Sequence, residues 1–325
     1  MDLVCHTIFY SASDRVSFLH FLRTVGQVGG AVQTYESLVA RERESSSTMN
    51  SNNVVLTNQN TMYDRLIDRA TGGLAEQLYI RNGATQLLQR MANELGTARV
   101  RLNSAVMRIE QPNDYETEDL SSTFDQYPVT VETLDNVRLR CKFVVLTVPP
   151  PLAARIHTEP PMPASRDILC QSMVCGAAIK TITVYSEPFW REGSASGSFL
   201  SSNTDVRWAF DASETLDSGE CVYALAGLFI GNGALHWSEY TSEERRQAVC
   251  SAYARVFGDE RANTPLAYFE HDWSVDGWSR GGLVASAMPG TLTTVGEALF
   301  RPIGRLHFAG PETAIASYNY FEGPS

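Results

Sequence analysis

The chain has 325 residues, 43% hydrophobic and 19% charged, with a formal net charge of -11. That is a globular composition, long enough for two modest domains and a sizeable core. Its acidity excludes nucleic acid and anionic membrane surfaces as partners, because both would be repelled.

The first predicted element is a helix. Phe18, Leu19, Phe21 and Leu22 in VSFLHFLRTVGQVGG fall at helical spacing, and the glycines from Gly26 to Gly30 end it. Residues 45–61, SSSTMNSNNVVLTNQNT, lack periodicity and read as a flexible surface loop. Leu78, Tyr79 and Ile80 then read as a short strand, and Asn82-Gly83 as a turn. Ala84 to Leu95 reads as an amphipathic helix with Leu87, Leu88, Met91 and Leu95 as its stripe. VRLNSAVMRIEQ and PVTVETLD are strands on either side of a polar loop at 113–126. In VRLRCKFVVLTVPP the apolar run Phe143 to Val148 has the look of a strand buried on both faces, stopped by Pro149 to Pro151.

Beyond Pro163 the pattern changes to strands of a mixed or antiparallel sheet: AAIKTITVYSEPFW, GSFLSS, DVRWAFDA and CVYALAGLFIG. TSEERRQAVCSAYARVFG opens with a capping box, Thr241 followed by Glu244, and is a helix. The tail returns to glycine-rich turns and the strand RLHFAG.

The six cysteines (Cys5, Cys141, Cys170, Cys175, Cys221, Cys250) have no CxxC spacing and read as reduced thiols of an intracellular protein. No N-x-S/T acceptor, signal-like opening or long apolar run is present, so the chain as given reads as soluble. The six histidines lack metal-ligand spacing, and GQVGGAV at Gly26 follows a helix rather than a strand. A dinucleotide-binding glycine fingerprint is therefore missing.

Three features carry candidate chemistry. GWSRG (Gly277 to Gly281) fits G-x-S-x-G, but the helix that should follow Ser279 is broken by Pro289-Gly290, so an exposed loop serine is the better reading. Lys180 lies inside GAAIKTITVY. With Ala178 and Ile182 on the same face it points inward, where an amine is costly without work or a partner; the plain alternative is an edge lysine reaching water. In RLHFAGPETAIASYNYFEG, Gly310 permits close backbone approach and Glu312 sits near a helix start. Tyr318 and Tyr320 cannot share a helix face, and Trp208, Phe210, Trp273 and Trp278 supply aromatic surface.

The ordered series LHFLRTVGQVGG, IRNGATQLLQRMANELG, FVVLTVPPPLAARIHTEPPMP, IKTITVYSEPFWRE, WSRGGLVASAMPGTLT and RLHFAGPETAIASYNYFEG resembles the flavin-containing amine oxidases, close to their monoamine oxidase branch. The most specific blocks are EPFW after a strand lysine and FAG-x-ET near the end. The resemblance implies an α/β (α+β mixed) fold, in which a partial FAD-binding Rossmann-like domain is interleaved with a mixed-sheet substrate domain. Residues 1–80 form a helical part of the substrate domain and 81–169 an FAD-domain segment. Residues 170–275 then form the substrate sheet and helix, and 276–325 an incomplete FAD-domain segment.

Carried over, Lys180 holds a water at the flavin and Trp273 packs against it. Val106 and the Phe321 backbone touch the cofactor, and Gly310 and Glu312 line its ribityl–pyrophosphate region. Tyr320 is one wall of the substrate cage, and Trp208 and Phe210 line the cavity. The implied reaction is oxidation of an amine by FAD, with O₂ as the final acceptor and peroxide as product. Leu283 stands where the mitochondrial members have the flavin-linking cysteine, so FAD is expected to be non-covalent. Val284 replaces the second cage tyrosine and Pro311 a threonine. Relative to the family, the chain begins after the G-x-G-x-x-G segment and ends before a closing helix and membrane anchor; an outer mitochondrial membrane location belongs only to a full-length parent. A homodimer is compatible with this reading. A non-catalytic remnant that binds partners is the second reading, and an esterase through Ser279 the third.

Overall fold

The computed structural model describes residues 83–112, 129–201, 204–216 and 218–314, with residue 80 and the backbone of 53–57. The strands in chain order are β1 (Asn53–Thr57), β2 (Val106–Glu110), β3 (Val129–Thr133), β4 (Arg138–Cys141) and β5 (Val144–Leu146). They continue as β6 (His157–Glu159), β7 (Met173–Gly176), β8 (Ala178–Tyr185), β9 (Ala195–Ser201) and β10 (Trp208–Asp211). The last five are β11 (Glu214–Thr215), β12 (Cys221–Ile230), β13 (Ala267–Asp272), β14 (Gly282–Ala287) and β15 (Leu306–Phe308). The helices are α1 (Thr85–Leu95), α2 (Pro150–Ala153), α3 (Ala164–Gln171), α4 (Asn232–Trp237), α5 (Ser242–Phe257) and α6 (Thr291–Val295). The chain forms two compact units, Met1–Ala70 with Met173–Thr293, and Thr71–Ser172 with Thr294–Ser325.

The first unit is built on a seven-stranded sheet, ordered β1-β9-β10-β12-β8-β13 with β11 beside β12, and every pairing is antiparallel. Alternation along β8 decides its two faces. Ile179, Thr181, Thr183 and Tyr185 are fully or almost fully buried, whereas Lys180 and Ile182 stand on the other face. The buried face packs on α5, which contributes Val249, Ala252 and Tyr253 to a core shared with Phe189, Trp190, Phe199 and Phe229. Burying each large apolar side chain in such a core contributes about 1.5–3 kcal/mol before entropy is counted.

Close approach of α5 to β12 depends on Gly227, where an added Cβ would lie 2.4 Å from the Tyr253 hydroxyl oxygen. The Thr181 hydroxyl meets its hydrogen-bonding need inside the sheet by donating to the Gly227 carbonyl at 3.1 Å. α5 begins as its sequence demands: the Thr241 Oγ1 accepts from the Glu244 N–H, and the Glu244 carboxylate accepts from the Thr241 N–H. Arg245, one residue on, forks onto Glu270 of β13 at 2.9 and 2.6 Å and also donates to the Trp237 and Tyr240 carbonyls.

β1 corrects the reading of residues 45–61 as a loop. Its Asn-Val-Val-Leu-Thr segment pairs with β9, because β-branched residues suit a pleated surface even when serines and asparagines flank them. The helix read near Phe18, its glycine stop, Leu78 and Tyr79 lie outside the described residues. Ile80 is not in a strand, and Gly83, at φ 85°, closes the turn by donating to the Ile80 carbonyl.

The second unit carries a four-stranded sheet, β4-β3-β2-β6, and a parallel pair, β5-β15. Ile109, Val129, Val131, Leu146 and Leu306 form its core. The run Phe143 to Val148 is not buried on both faces, contrary to its composition. Phe143, Val145 and Val148 are 43%, 58% and 39% exposed, since only the Leu146 side of β5 meets the core. The stripe of α1 is likewise open to solvent at Leu87, Leu88, Met91 and Leu95. Among the described residues no helix is long and apolar enough to cross a membrane, and the five described cysteines are free.

Candidate functional site

The first unit gathers four of the expected residues on one sheet face. Trp208 lies in register with Leu228, Leu228 with Lys180, and Lys180 with His271. The next row is Phe210, Ala226, Ile182 and Phe269. Side chains at every second position share a face, so Ala178, Lys180 and Ile182 project together with both rows. Ala178, Leu228 and Ile230 are buried, with Trp208 and Phe210 packed against them, the two rings 5.6 Å apart. Lys180 is exposed rather than turned into the core; the helix-covered face is the opposite one. Its Nζ lies 5.9 Å from the Phe210 ring centroid, the outer edge of a cation–π contact. The result, among the described residues, is a largely apolar, aromatic face that also carries the Lys180 ammonium and the His271 imidazole.

Trp273, just past β13, is held from two sides. Its backbone N–H donates to the Ala178 carbonyl at 3.0 Å, and its ring centroid is 4.3 Å from that of His271. Next, the Asp276 carboxylate accepts from the N–H groups of Ser279 and Trp278 at 2.7 and 3.0 Å. Those two backbone donors hold Asp276 below the usual carboxylate range. Its second oxygen is 3.9 Å from His271 Nε2. His271 was missed by the sequence reading. The alternation Phe269, His271, Trp273 in YFEHDW was the signal that would have placed it beside Lys180.

Ser279 sits within this turn, and the element after it is strand β14, not a helix. The strand–serine–helix geometry that strains a nucleophile outward is absent, which removes the structural basis of the esterase reading. Gly281 and Gly282 let the start of β14 lie close against β7 and the first residue of β8. Added Cβ atoms there would lie 2.5 Å from the Cys175 Cβ and 2.6 Å from the Ala178 Cβ.

The second unit holds a separate group of the expected residues. β5 and β15 run parallel, and the chain turns at Gly310 beside their carboxyl ends, where open α/β sheets place ligands. Gly310 has φ 142°, and a Cβ there would stand 3.4 Å from both the Thr147 carbonyl oxygen and a Glu312 carboxylate oxygen. The bare glycine therefore leaves a cradle that any side chain would narrow. Pro311 begins a 3₁₀ turn, Pro311–Thr313, where its missing N–H costs nothing. The Thr313 hydroxyl and N–H both donate to the Gly310 carbonyl, at 2.9 and 3.0 Å, and Glu312 is buried. Val106 opens β2 opposite Thr133 and is packed against the core of this unit. Tyr318, Tyr320 and Phe321 lie outside the described residues.

Comparison with known proteins gives the family. A model of the flavin-containing amine oxidoreductases matches residues 13–323. The chain belongs to that family. It is 36% identical over 251 residues to a probable flavin-containing monoamine oxidase A of Dictyostelium discoideum, covering 77% of this chain and 51% of the relative. It is 32% identical over 259 residues to a flavin-containing amine oxidase B of Sus scrofa, covering 80% of this chain and 46% of the relative. Among solved structures it resembles cyclohexylamine oxidase from Brevibacterium oxydans IH-35A, with TM-score 0.73, 25% identity, 99% of this chain and 60% of that one. A putrescine oxidase bound to putrescine matches with TM-score 0.66, 29% identity, 75% of this chain and 50% of that one. The chain thus spans about half the length of the curated relatives it matches. Its mixed helix-and-sheet fold is that of FAD-dependent amine oxidases.

Proposed function

We propose that this chain takes part in FAD-dependent oxidative deamination, in which an amine, O₂ and water become an aldehyde or keto product, ammonia and hydrogen peroxide. The carrying observation is the register of Trp208, Leu228, Lys180 and His271 across the open face of one sheet, with Trp273 beside it. An exposed ammonium beside aromatic and aliphatic side chains suits a group that holds a water or hydroxyl against a flat ligand.

The residues present fit FAD, held non-covalently. Gly310 offers the cradle for the ribityl–pyrophosphate part, with Glu312 beside it, and the Val106 backbone is the second contact in that unit. Trp273 would pack against its ring system and Lys180 would hold a water there, as the family resemblance implies. When bound, FAD supplies the two-electron acceptor for the amine α-carbon. The wall of Trp208 and Phe210 orients the amine by its apolar substituent and excludes water. Tyr320 and the Phe321 backbone complete the cage and the cofactor contacts by family resemblance. The pairing favours an amine with an apolar body, since the ammonium of Lys180 repels a second positive charge nearby.

The test is peroxide production by the FAD-supplied chain on addition of an apolar primary amine, compared with hydrolysis of a p-nitrophenyl ester. Amine-dependent peroxide supports the proposal. Flavin binding with no turnover of any amine favours the non-catalytic reading, and ester hydrolysis lost in Ser279→Ala would restore the esterase.

A further inference from the structure

The main chain of Trp273 is fixed by the sheet, but its ring is not. The Trp273 backbone N–H donates to the Ala178 carbonyl, and the next residue, Ser274, accepts from the Ala178 N–H through its hydroxyl at 3.3 Å. The indole itself is 40% exposed and joined to that anchor by two rotatable bonds. Among the described residues its one ring contact is with His271, edge to face, the planes inclined at 74° less than a right angle would require only slightly: 68°. Such a pair favours one mutual arrangement of the two rings over the others.

His271 is confined in its turn. Lys180 stands opposite it in the β13–β8 ladder, a cross-strand neighbour on the same face. The Asp276 carboxylate lies 3.9 Å from Nε2, too far for a direct hydrogen bond but near enough to attract a protonated ring. Asp276 is itself pinned by the N–H groups of Trp278 and Ser279. The acids on either side of His271 in β13 have other partners: Glu270 pairs with Arg245, and Asp272 accepts from the Ser274 N–H. The His271 side chain is 52% exposed, so the core does not depend on it and substitution there leaves the fold intact. What it can govern is the direction of the Trp273 indole.

We propose that His271 is a positioning residue for the cofactor face of this site, bracing the Trp273 indole in the orientation that receives the flavin ring. This inference rests on the reading of Trp273 as a flavin contact. The role requires a flat ring at position 271 rather than a proton donor, which distinguishes it from acid–base chemistry.

The test separates the brace from general stability. His271→Ala removes the ring, and His271→Phe keeps one. In the cofactor-free chain, the near-ultraviolet circular dichroism due to Trp273 is taken as the difference between the unsubstituted protein and Trp273→Leu. His271→Ala is expected to lose most of that difference and His271→Phe to retain most of it. FAD affinity, read by flavin fluorescence, is expected to fall about three- to tenfold in His271→Ala, the scale of one aromatic pair, and to stay within about twofold in His271→Phe. In a Trp273→Leu background His271→Ala should have no further effect on affinity, because a brace with no indole to hold is silent. Thermal melting is followed in parallel. An undiminished loss of affinity in that background would overturn the proposal in favour of a general structural effect. So would a Trp273 signal unchanged in His271→Ala, or a His271→Phe variant as weak as His271→Ala. An unsubstituted chain that binds no FAD, while its Trp273 signal still collapses in His271→Ala, overturns the flavin reading of Trp273 and leaves only the contact between the two rings, an outcome distinct from the others.

Discussion

Replacing Glu270 by Gln breaks the ion pair that ties β13, and with it His271 and Trp273, to the start of α5. Arg245 and Glu270 have side chains only 12% and 14% exposed, joined at 2.6 and 2.9 Å. Burial pushes the Glu270 carboxyl up, but the Arg245 fork and the Tyr268 hydroxyl outweigh it and hold the group below the usual range. Exposed pairs contribute up to about 1 kcal/mol and breaking fully buried ones costs about 3–5, so this nearly buried pair predicts a loss of about 2–3 kcal/mol at pH 7. Arg245 keeps its two carbonyl acceptors, which argues for the lower end.

All five tryptophans fall in the unit containing β13, so urea unfolding followed by tryptophan fluorescence reports on that unit. Because the folded pKa of Glu270 is depressed, its contribution is fully present above the unfolded value of about 4.3 and fades as the pH falls through the folded value. The substitution should therefore cost most at pH 7 and progressively less below about pH 4. A cost under about 0.5 kcal/mol at pH 7, or one independent of pH, would refute the reasoning.

Gly227→Ala should destabilise the same unit by about 1–3 kcal/mol, because the new methyl meets the Tyr253 hydroxyl 2.4 Å away. Adding Tyr253→Phe should recover part of that loss, and a double variant no better than the single one would contradict the packing account. Lys180→Met, tested on FAD-supplied protein, should leave flavin affinity within about threefold but slow flavin reoxidation about a hundredfold, the scale of a positioned proton-handling group. Unchanged reoxidation removes Lys180 from the mechanism.

Legibility followed locality. The start of α5 could be read because a capping box is complete within four residues, β8 because alternation is written along it, and β12 because its apolar run marks a strand buried on both faces. β1 could not, since its five residues acquire meaning only by pairing with β9, far away in sequence. The sidedness of Lys180 was ambiguous for a similar reason: its position beside Ala178 and Ile182 was legible, but α5 decides which face is covered. Arg166 of α3 carries no local pattern at all, and its burial depends on the Phe308 ring and on carbonyls more than a hundred residues away. Phe143 to Val148 misled because an apolar run states a preference for burial, and tertiary neighbours decide whether it is met.

Equilibrium binding of FAD to the purified chain tests the account most directly, by visible spectrum and flavin fluorescence with Gly310→Val as control. The account predicts saturable, non-covalent uptake of one FAD per chain, released intact on denaturation and lost when the Gly310 cradle is filled. A colourless chain that takes up no FAD, or uptake indifferent to Gly310→Val, would contradict it.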